Sequence, residues 1–481
     1  MSEPQQTMPL QRLLTDPAVL RLLLIAALVG IPVSLVAFGF VSLVHELQHW
    51  IWESAPDALG YSRAPWWWGL PTLALAGLLA APVITRLPGA GGHVPVHGLG
   101  GAPTPPREAP GVALAALACL PLGVMLGPEA PLMALGSAVA LLALPAARRA
   151  RHPQAATVLG TAGSTAGIAT IFGSPLIPAV MILESVALAG SARVVLLLPC
   201  LLASGVGALV FTGFGHWTGL EIGALSLPTK PSVGLPDAGD FLWGIPMAVL
   251  VGLLVAAGLA IGRRSERWTR LSGPRIFACA IAVGVCITLY ALTTDRSPEE
   301  AALSGQATVG LLAADPGGWA VLALVALVAA KTLGWGIALG SLRGGPIFPA
   351  IMIGAAVGIA CGALPGFGMG PALAAGICAS GVAATRLPVT GIVLAAALLG
   401  GEAVDLMPIL VISSVTALLT VVALERLTAG TADSPQASPQ APPQDDPPQA
   451  SPQDDPPQAS PRNPPQNRQQ DPPQSSPKDL S

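Results

Sequence analysis

Three short motifs rich in glycine and proline interrupt this chain inside apolar stretches where a membrane helix should simply run on. They are Gly91-Gly92-His93-Val94-Pro95, Gly127-Pro128-Glu129-Ala130-Pro131 and Gly344-Gly345-Pro346-Ile347-Phe348-Pro349. Each opens onto a new apolar run, so each predicts a helix that starts within the membrane. Such a start leaves the first backbone N–H groups without partners. With the positive end of the helix dipole, those groups form a seat for an anion. The second motif adds Glu129, a carboxylate where hydrocarbon disfavours charge, and an ionisable residue at that depth is a functional candidate. The bland alternative is a Glu at an aqueous helix start, but the apolar runs on both sides argue against it. In the third motif the backbone N–H groups of Ile347 and Phe348 matter more than their side chains. Pro346 suits a first helical turn, where its missing N–H is not needed.

Composition agrees. Of 481 residues, 52% are hydrophobic and only 10% charged, against about 25% charged in a soluble domain. A polytopic membrane protein is expected, and a net charge of −3 points to no nucleic acid or other particular partner. The six cysteines show no metal spacing and read as small core residues. The first apolar run follows a short lead, residues 1–17, without a clear cleavage site, and reads as a retained helix. Apolar stretches fall at roughly 18–44, 66–86, 111–126, 129–147, 155–184, 193–214, 241–262, 276–293, 319–342, 347–364, 371–399 and 404–424. Several are shorter than the ~20 residues that span a bilayer, and others are broken, which fits a transporter of tilted and discontinuous helices.

The chain divides into two similar halves, roughly 18–215 and 241–426. The Gly127–Pro131 break is followed by Gly167-Ile168-Ala169 and Ser174-Pro175-Leu176. The Gly344–Pro349 break is followed by Gly381-Val382-Ala383 and Leu387-Pro388-Val389-Thr390-Gly391. Matching breaks imply an internal repeat with a site at its interface. Residues 428–481 differ: they repeat QDDPPQASP at 444–452 and 453–461, and their composition predicts a disordered tether. The basic stretch Arg263–Arg270 reads as cytoplasmic, and Arg148-Arg149-Ala150-Arg151 asks for the same side.

The order of these motifs resembles the CLC family of chloride channels and chloride/proton antiporters, over about residues 18–426. In that family a GSGIP-like motif, a G(K/R)EGP motif and a GxFxP motif converge on a central anion site. Gly127–Pro131 stands for the second motif and Gly345–Pro349 for the third. Phe172-Gly173-Ser174-Pro175-Leu176 resembles the family's FNAPLAG segment, and Thr385–Gly391 its IRAPLTG segment. The resemblance implies an all-α, CLC-like inverted repeat with broken and re-entrant helices, in a prokaryotic inner membrane. It implies a homodimer with one path per subunit, and no organic cofactor or metal. Glu129 would be the gate and proton acceptor. Gly92, His93, Gly127, Pro128, Ala130, Gly345, Ile347 and Phe348 would line the anion site. The cargo would be chloride or another small anion, with or without protons.

The chain departs from the family's pattern in ways that bear on mechanism. Its first motif is one residue short, placing Gly92 or His93 near the usual coordinating Ser. Pro128 replaces the basic residue before the gate. The coordinating Tyr near the last helix is missing, since the only tyrosines are Tyr61 and Tyr290. Where many antiporters carry a second, proton-feeding Glu, this chain has Ser185, directly after Glu184. The expectation is therefore a channel or weakly coupled transporter, with stoichiometric antiport as the alternative and Glu184 as the internal proton site if coupling exists. A remote alternative rests on His45-Glu46-Leu47-Gln48-His49, which matches the H-E-x-x-H zinc-protease pattern. It needs a third ligand, for which Asp237 is the best candidate. The competing reading is a helix end at the water boundary, with Trp50 and Trp52 as an interfacial belt.

Overall fold

Lipid offers a backbone no hydrogen bonds, so an apolar chain satisfies its own N–H and C=O groups by coiling into helices. The structure, a computed structural model, describes residues 15–99, 102–145, 154–185, 191–218, 227 and 235–432. Its principal helices are α1 (Pro17–His49), α2 (Gly69–Arg86), α3 (Ala109–Cys119), α4 (Glu129–Leu141), α5 (Ala155–Phe172), α6 (Leu176–Ser185), α7 (Ser191–Thr218) and α8 (Ala238–Thr269). They continue as α9 (Gly273–Thr294), α10 (Gln306–Ala314), α11 (Val321–Ser341), α12 (Ile347–Cys361), α13 (Met369–Thr385), α14 (Pro388–Leu399) and α15 (Ala403–Ala432). Among the described residues, eight helical stretches are long and apolar enough to cross a membrane. Helices α4, α6, α12 and α13 are shorter apolar pieces. The protein is an all-α, multi-pass integral membrane protein built partly from broken helices. The N-terminal lead up to residue 14, the Arg148–Arg151 cluster and the Pro/Gln-rich segment from 433 onward lie outside the described residues.

The two halves repeat one device. Helix α4 packs on α5 through Gly136 and Gly163, where a Cβ on either would strike the carbonyl oxygen of a glycine on the facing helix. Helix α12 packs on α13 through Gly354 and Gly376 in the same manner. Gly136 stands seven residues after Glu129, and Gly354 seven after Ile347, so the close approach recurs in register. Helices α5 and α13 both end in a left-handed C-cap, Gly173 (φ 63°) and Arg386 (φ 61°). A proline-containing helix follows each cap. The expected break in the 155–184 stretch thus falls at Gly173. A continuous buried core joins the halves, with Leu126, Leu132 and Phe172 from the first and Ile347, Phe348 and Cys378 from the second.

Two expectations need correcting. The 111–126 stretch is helical only to Cys119. The chain then runs irregularly through Leu120–Pro128, which is the re-entrant segment leading into α4. Trp52 is not interfacial: it is 2% exposed and its indole N–H donates to the Pro121 carbonyl at 3.0 Å. Trp50 is 63% exposed, as a belt residue should be.

Sidedness follows from one helix end. Helix α8 finishes on Arg263, Arg264 and Arg267, with Arg270 as its cap, and by the positive-inside rule that end is read as the cytoplasmic one, the sense in which inner and outer are used below. Helix α9 crosses back with 22 residues, enough for roughly 33 Å, so Asp295 to Gly318 lies at the opposite face. The first motif lies at the same end, because His97 Nε2 meets Glu266 Oε1 near the end of α8 at 2.8 Å.

Candidate functional site: a carboxylate on a helix N-terminus

Glu129 is the first residue of α4, and its carboxylate crosses to the other half of the molecule. Oε1 accepts from the N–H of Ile347 at 2.7 Å and of Phe348 at 3.1 Å. These are the first two residues of α12. The side chain is 0% exposed, and Oε2 has no hydrogen-bond partner. An orphaned buried oxygen on a carboxylate is costly, and the positive end of the α12 dipole offsets part of that cost. The reading of Glu129 as an ordinary aqueous helix start therefore fails.

Two glycines make the fit possible. A Cβ on Gly127 or on Gly345 would collide with the Glu129 carboxylate. The same two residues pair with each other: Gly127 N–H donates to Gly345 O at 2.8 Å, and Gly345 N–H donates back to Gly127 O. The equivalent turns of the two halves thus lock together around the carboxylate. Pro128 and Pro346 are the residues just before α4 and α12, and neither brings an N–H that needs a partner. The Phe348 ring packs on Phe172, with centroids 5.6 Å apart.

Cavities approach the carboxylate from both membrane faces. An outer cavity of about 380 Å³ is lined by His45, Gln48, Pro128, Glu299, Glu300 and Gln306. An inner cavity of about 360 Å³ includes His97, Ser164, Ser185, Pro346 and Thr385. Pro128 directly precedes Glu129 and Pro346 directly precedes Ile347, so the carboxylate sits between them. A neighbouring cavity, also about 360 Å³, is lined by Gly92, His93, Glu108 and Ala130, and shares Met133 and Ser164 with the inner one.

The outer cavity carries charge. Glu300 accepts from the Tyr290 hydroxyl at 2.5 Å and from Arg296 Nε at 2.7 Å. Burial, with help from the charges of Glu53 and Glu300 and against that of His49, pushes the Glu299 carboxyl up to about 7. Behind the cavity wall, the fully buried Lys331 Nζ donates to the carbonyls of Ala301, Ala302 and Leu303 at 2.8–3.0 Å.

The expected site residues thus divide. Glu129, Gly127, Gly345, Ile347 and Phe348 meet directly. Pro128 and Ala130 flank Glu129 in sequence; Pro128 lines the outer cavity and Ala130 the cavity that neighbours the inner one. Gly92 and His93 line the cavity next to the inner one. Glu184 goes elsewhere: Oε1 accepts from Val389 N–H at 2.8 Å, and Oε2 accepts from Thr390 N–H at 2.8 Å and Thr390 Oγ1 at 2.7 Å. It caps α14. Ser185 lines the inner cavity, and its hydroxyl reaches the Ile182 carbonyl at 3.4 Å. Tyr290 is engaged with Glu300, and Tyr61 is 42% exposed.

The H-E-x-x-H stretch gains no third ligand. His49 pairs with Glu53 at 3.3 Å, one turn on. Asp237 is the N-cap of α8, its Oδ1 accepting from Gly239 and Asp240 N–H groups at 2.8 and 3.1 Å. Among the described residues no three His, Cys, Asp or Glu side chains come together so as to hold a metal ion. Two buried cations escaped the sequence reading, Lys331 and Arg343. The argument that singled out Glu129, a charge inside an apolar run, would have found both.

A membrane protein of inverted halves, with a carboxylate lodged on a broken-helix N-terminus between two cavities, is the architecture of an ion-transport protein. The sequence profile described as "Voltage gated chloride channel" matches residues 95–421, and the chain belongs to this family, the CLC proteins. It is 30% identical over 352 residues to YfeO of Escherichia coli and of Escherichia fergusonii, proteins whose name assigns them provisionally to ion transport. Those matches cover 69% of this chain and 77% of each relative. Among solved structures it is similar to a slow cyanobacterial Cl⁻/H⁺ antiporter, at TM-score 0.69 and 19% identity, covering 86% of this chain and 99% of that one. It is also similar to a CLC-type fluoride/proton antiporter, at TM-score 0.64 and 19% identity, covering 83% and 94%. At that identity the two structures bear on the fold alone. CLC proteins are channels and transporters rather than enzymes, and nothing among these matches favours a protease.

Proposed function

We propose that this protein carries chloride, or an anion of similar size, across the membrane along a path on which Glu129 is the gate. The observation that carries the reading is the Glu129 carboxylate seated on the Ile347 and Phe348 N–H groups. Those donors would hold a halide as readily as a carboxylate oxygen. With Glu129 ionised and seated, the anion is excluded. With Glu129 protonated or swung aside, the helix N-terminus is free and the two cavities connect. Gly92, His93, Gly127, Pro128, Ala130 and Gly345 belong to the walls of this path. The working unit in this reading is a homodimer with one path per subunit.

Coupling to protons is weak or absent in this reading. Both oxygens of Glu184 are taken by three donors, and Ser185 carries no charge. Neither is free to shuttle a proton from the cytoplasm to Glu129. Purified protein in liposomes, with chloride flux and proton movement recorded together, tests both parts. Chloride flux should rise with acidity, and the reversal potential should follow the chloride gradient alone. A reversal potential that shifts with pH at a fixed anion-to-proton ratio would replace the channel-like reading with stoichiometric antiport. Absence of any small-anion flux would remove the proposal.

A further inference from the structure

The last two turns of α8 have two faces. Gly262, Ser265 and Thr269 are buried against the bundle, and Ser265 Oγ donates to the Ile337 carbonyl of α11 at 3.0 Å. The other face carries Arg263, Arg264, Arg267, Trp268 and, at the cap, Arg270, all exposed. Arg275, in the first turn of α9, joins them. Its Nη1 donates to the Trp268 carbonyl at 2.9 Å, and its guanidinium lies 5.9 Å from the centre of the Trp268 ring. Arg267 Nε donates to the Arg263 carbonyl at 3.2 Å and Arg270 Nε to the Arg267 carbonyl at 3.1 Å, which folds both side chains back along the helix. Among the described residues no carboxylate lies within ion-pair distance of any of these five arginines. Glu266, the one acid on these turns, is held by His97 at 2.8 Å. Five like charges so close together repel one another, and a partner of opposite charge relieves that repulsion.

The depth of this surface narrows the choice of partner. At about 1.5 Å per residue, the 32 residues of α8 reach roughly 48 Å, against ~30 Å of hydrocarbon. The arginine-bearing end therefore stands at the level of the lipid headgroups. Trp268 and Leu271 are 48% and 55% exposed there, and large apolar groups of this kind suit the inner edge of the headgroup layer. Each guanidinium presents a planar fork of donors that matches the oxygens of a phosphate. Arginines flanking a membrane helix, with an aromatic ring among them, are complementary to a molecule that joins a phosphate to an apolar body.

We propose that the elbow between α8 and α9 is a docking surface for anionic phospholipid, with Arg263, Arg267 and Arg270 on the headgroup phosphates and Trp268 and Leu271 on the apolar side of them. Charge selects the anionic lipid over neutral ones, and the apolar pair selects a lipid over a soluble anion. The inference is independent of what the protein transports.

Quenching of Trp268 fluorescence is the readout. The full chain is placed in phosphatidylcholine vesicles with a rising share of brominated phosphatidylglycerol or, for comparison, brominated phosphatidylcholine. Trp268→Phe identifies the part of the signal that belongs to this residue. Half of that part should be quenched at a lower mole fraction of the anionic lipid than of the neutral one. An arginine near the surface adds roughly fivefold in affinity for anionic lipid. Arg267→Gln should therefore raise the half-quenching mole fraction about fivefold, and Arg263→Gln, Arg267→Gln and Arg270→Gln together should abolish the preference. Lysine at the same three positions keeps the charge and should keep most of it. Equal quenching by the two brominated lipids in the wild type would overturn the inference, as would an unchanged preference in the triple Gln variant. Two other occupants have their own signatures, and either would overturn the lipid assignment. A preference that appears only after removal of residues 433–481 would give the arginines to that aspartate-rich segment. Loss of the preference in millimolar inorganic phosphate at constant ionic strength would give them to a soluble anion.

Discussion

The N-termini of α12 and α14 are each occupied by a glutamate from the first half of the chain, yet the two are built for different ends. At α12, Glu129 has one oxygen with two donors and the other with none, and it is wholly buried. It fits only because Gly127 and Gly345 lack a Cβ. At α14, both oxygens of Glu184 are satisfied, the Thr390 hydroxyl adds a third donor, and the residue is partly exposed. A carboxylate with a costly free oxygen and cavities on either side can be displaced by a competing anion or a proton. One that is fully bonded is a cap, and moving it would free three donors. Helix dipoles attract carboxylates at both places. The remaining valences decide which carboxylate can serve as the proposed gate and which is scaffolding.

The comparison breaks first at Glu129. Glu129→Gln should make chloride flux nearly independent of pH and raise it, by on the order of tenfold if the competing carboxylate contributes about 1.4 kcal/mol. Unchanged rate and pH response in liposomes would show that the two carboxylates do not differ in kind. Gly345→Ala should come next. The new methyl group would expel the carboxylate from its seat without removing it, so the pH response should fall toward that of Glu129→Gln while protonation chemistry stays available. If Gly345→Ala folds and responds to pH like the wild type, the fit between glycine and gate is not what positions Glu129.

Glu184→Gln sharpens the contrast from the other side. It replaces a charged cap with a neutral one, so thermal stability should drop by about 1 kcal/mol while flux keeps its pH dependence. Loss of a measured proton-to-chloride coupling in this variant would instead mark Glu184 as the internal proton site. The smallest effect is expected at the outer cavity. Glu299 is neutral below and ionised above about pH 7, so acidification through that value removes a negative charge from the outer cavity and eases anion approach. Glu299→Gln should flatten this step, by less than roughly threefold at physiological ionic strength, where a half-buried charge on the cavity wall is partly screened. A steeper pH response in Glu299→Gln would reverse the assignment.

Much of this was legible in the chain because it is local. Gly/Pro breaks in apolar runs dictate where helices start, so α4, α12 and the interruption at Gly173 could be placed from sequence. The charge of Glu129 inside such a run marked it as the gate candidate, and the order of the motifs brought the family with it. The end of the re-entrant segment was less readable. Leu120–Pro128 is as apolar as a helix, and only packing against Trp52 and Gly345 shows that it is not one.

What tertiary structure alone decided is which partner each charged group finds. Glu129 meets N–H groups 218 and 219 residues away, and Glu184 meets Val389 and Thr390, 205 and 206 residues away. Arg343 reaches Ala90, 253 residues back along the chain. A membrane sequence states how costly each buried charge is, because that depends on the residue and its apolar neighbours. It does not state who relieves the cost, because for Glu129, Glu184 and Arg343 Nε folding brings that partner in from the other half.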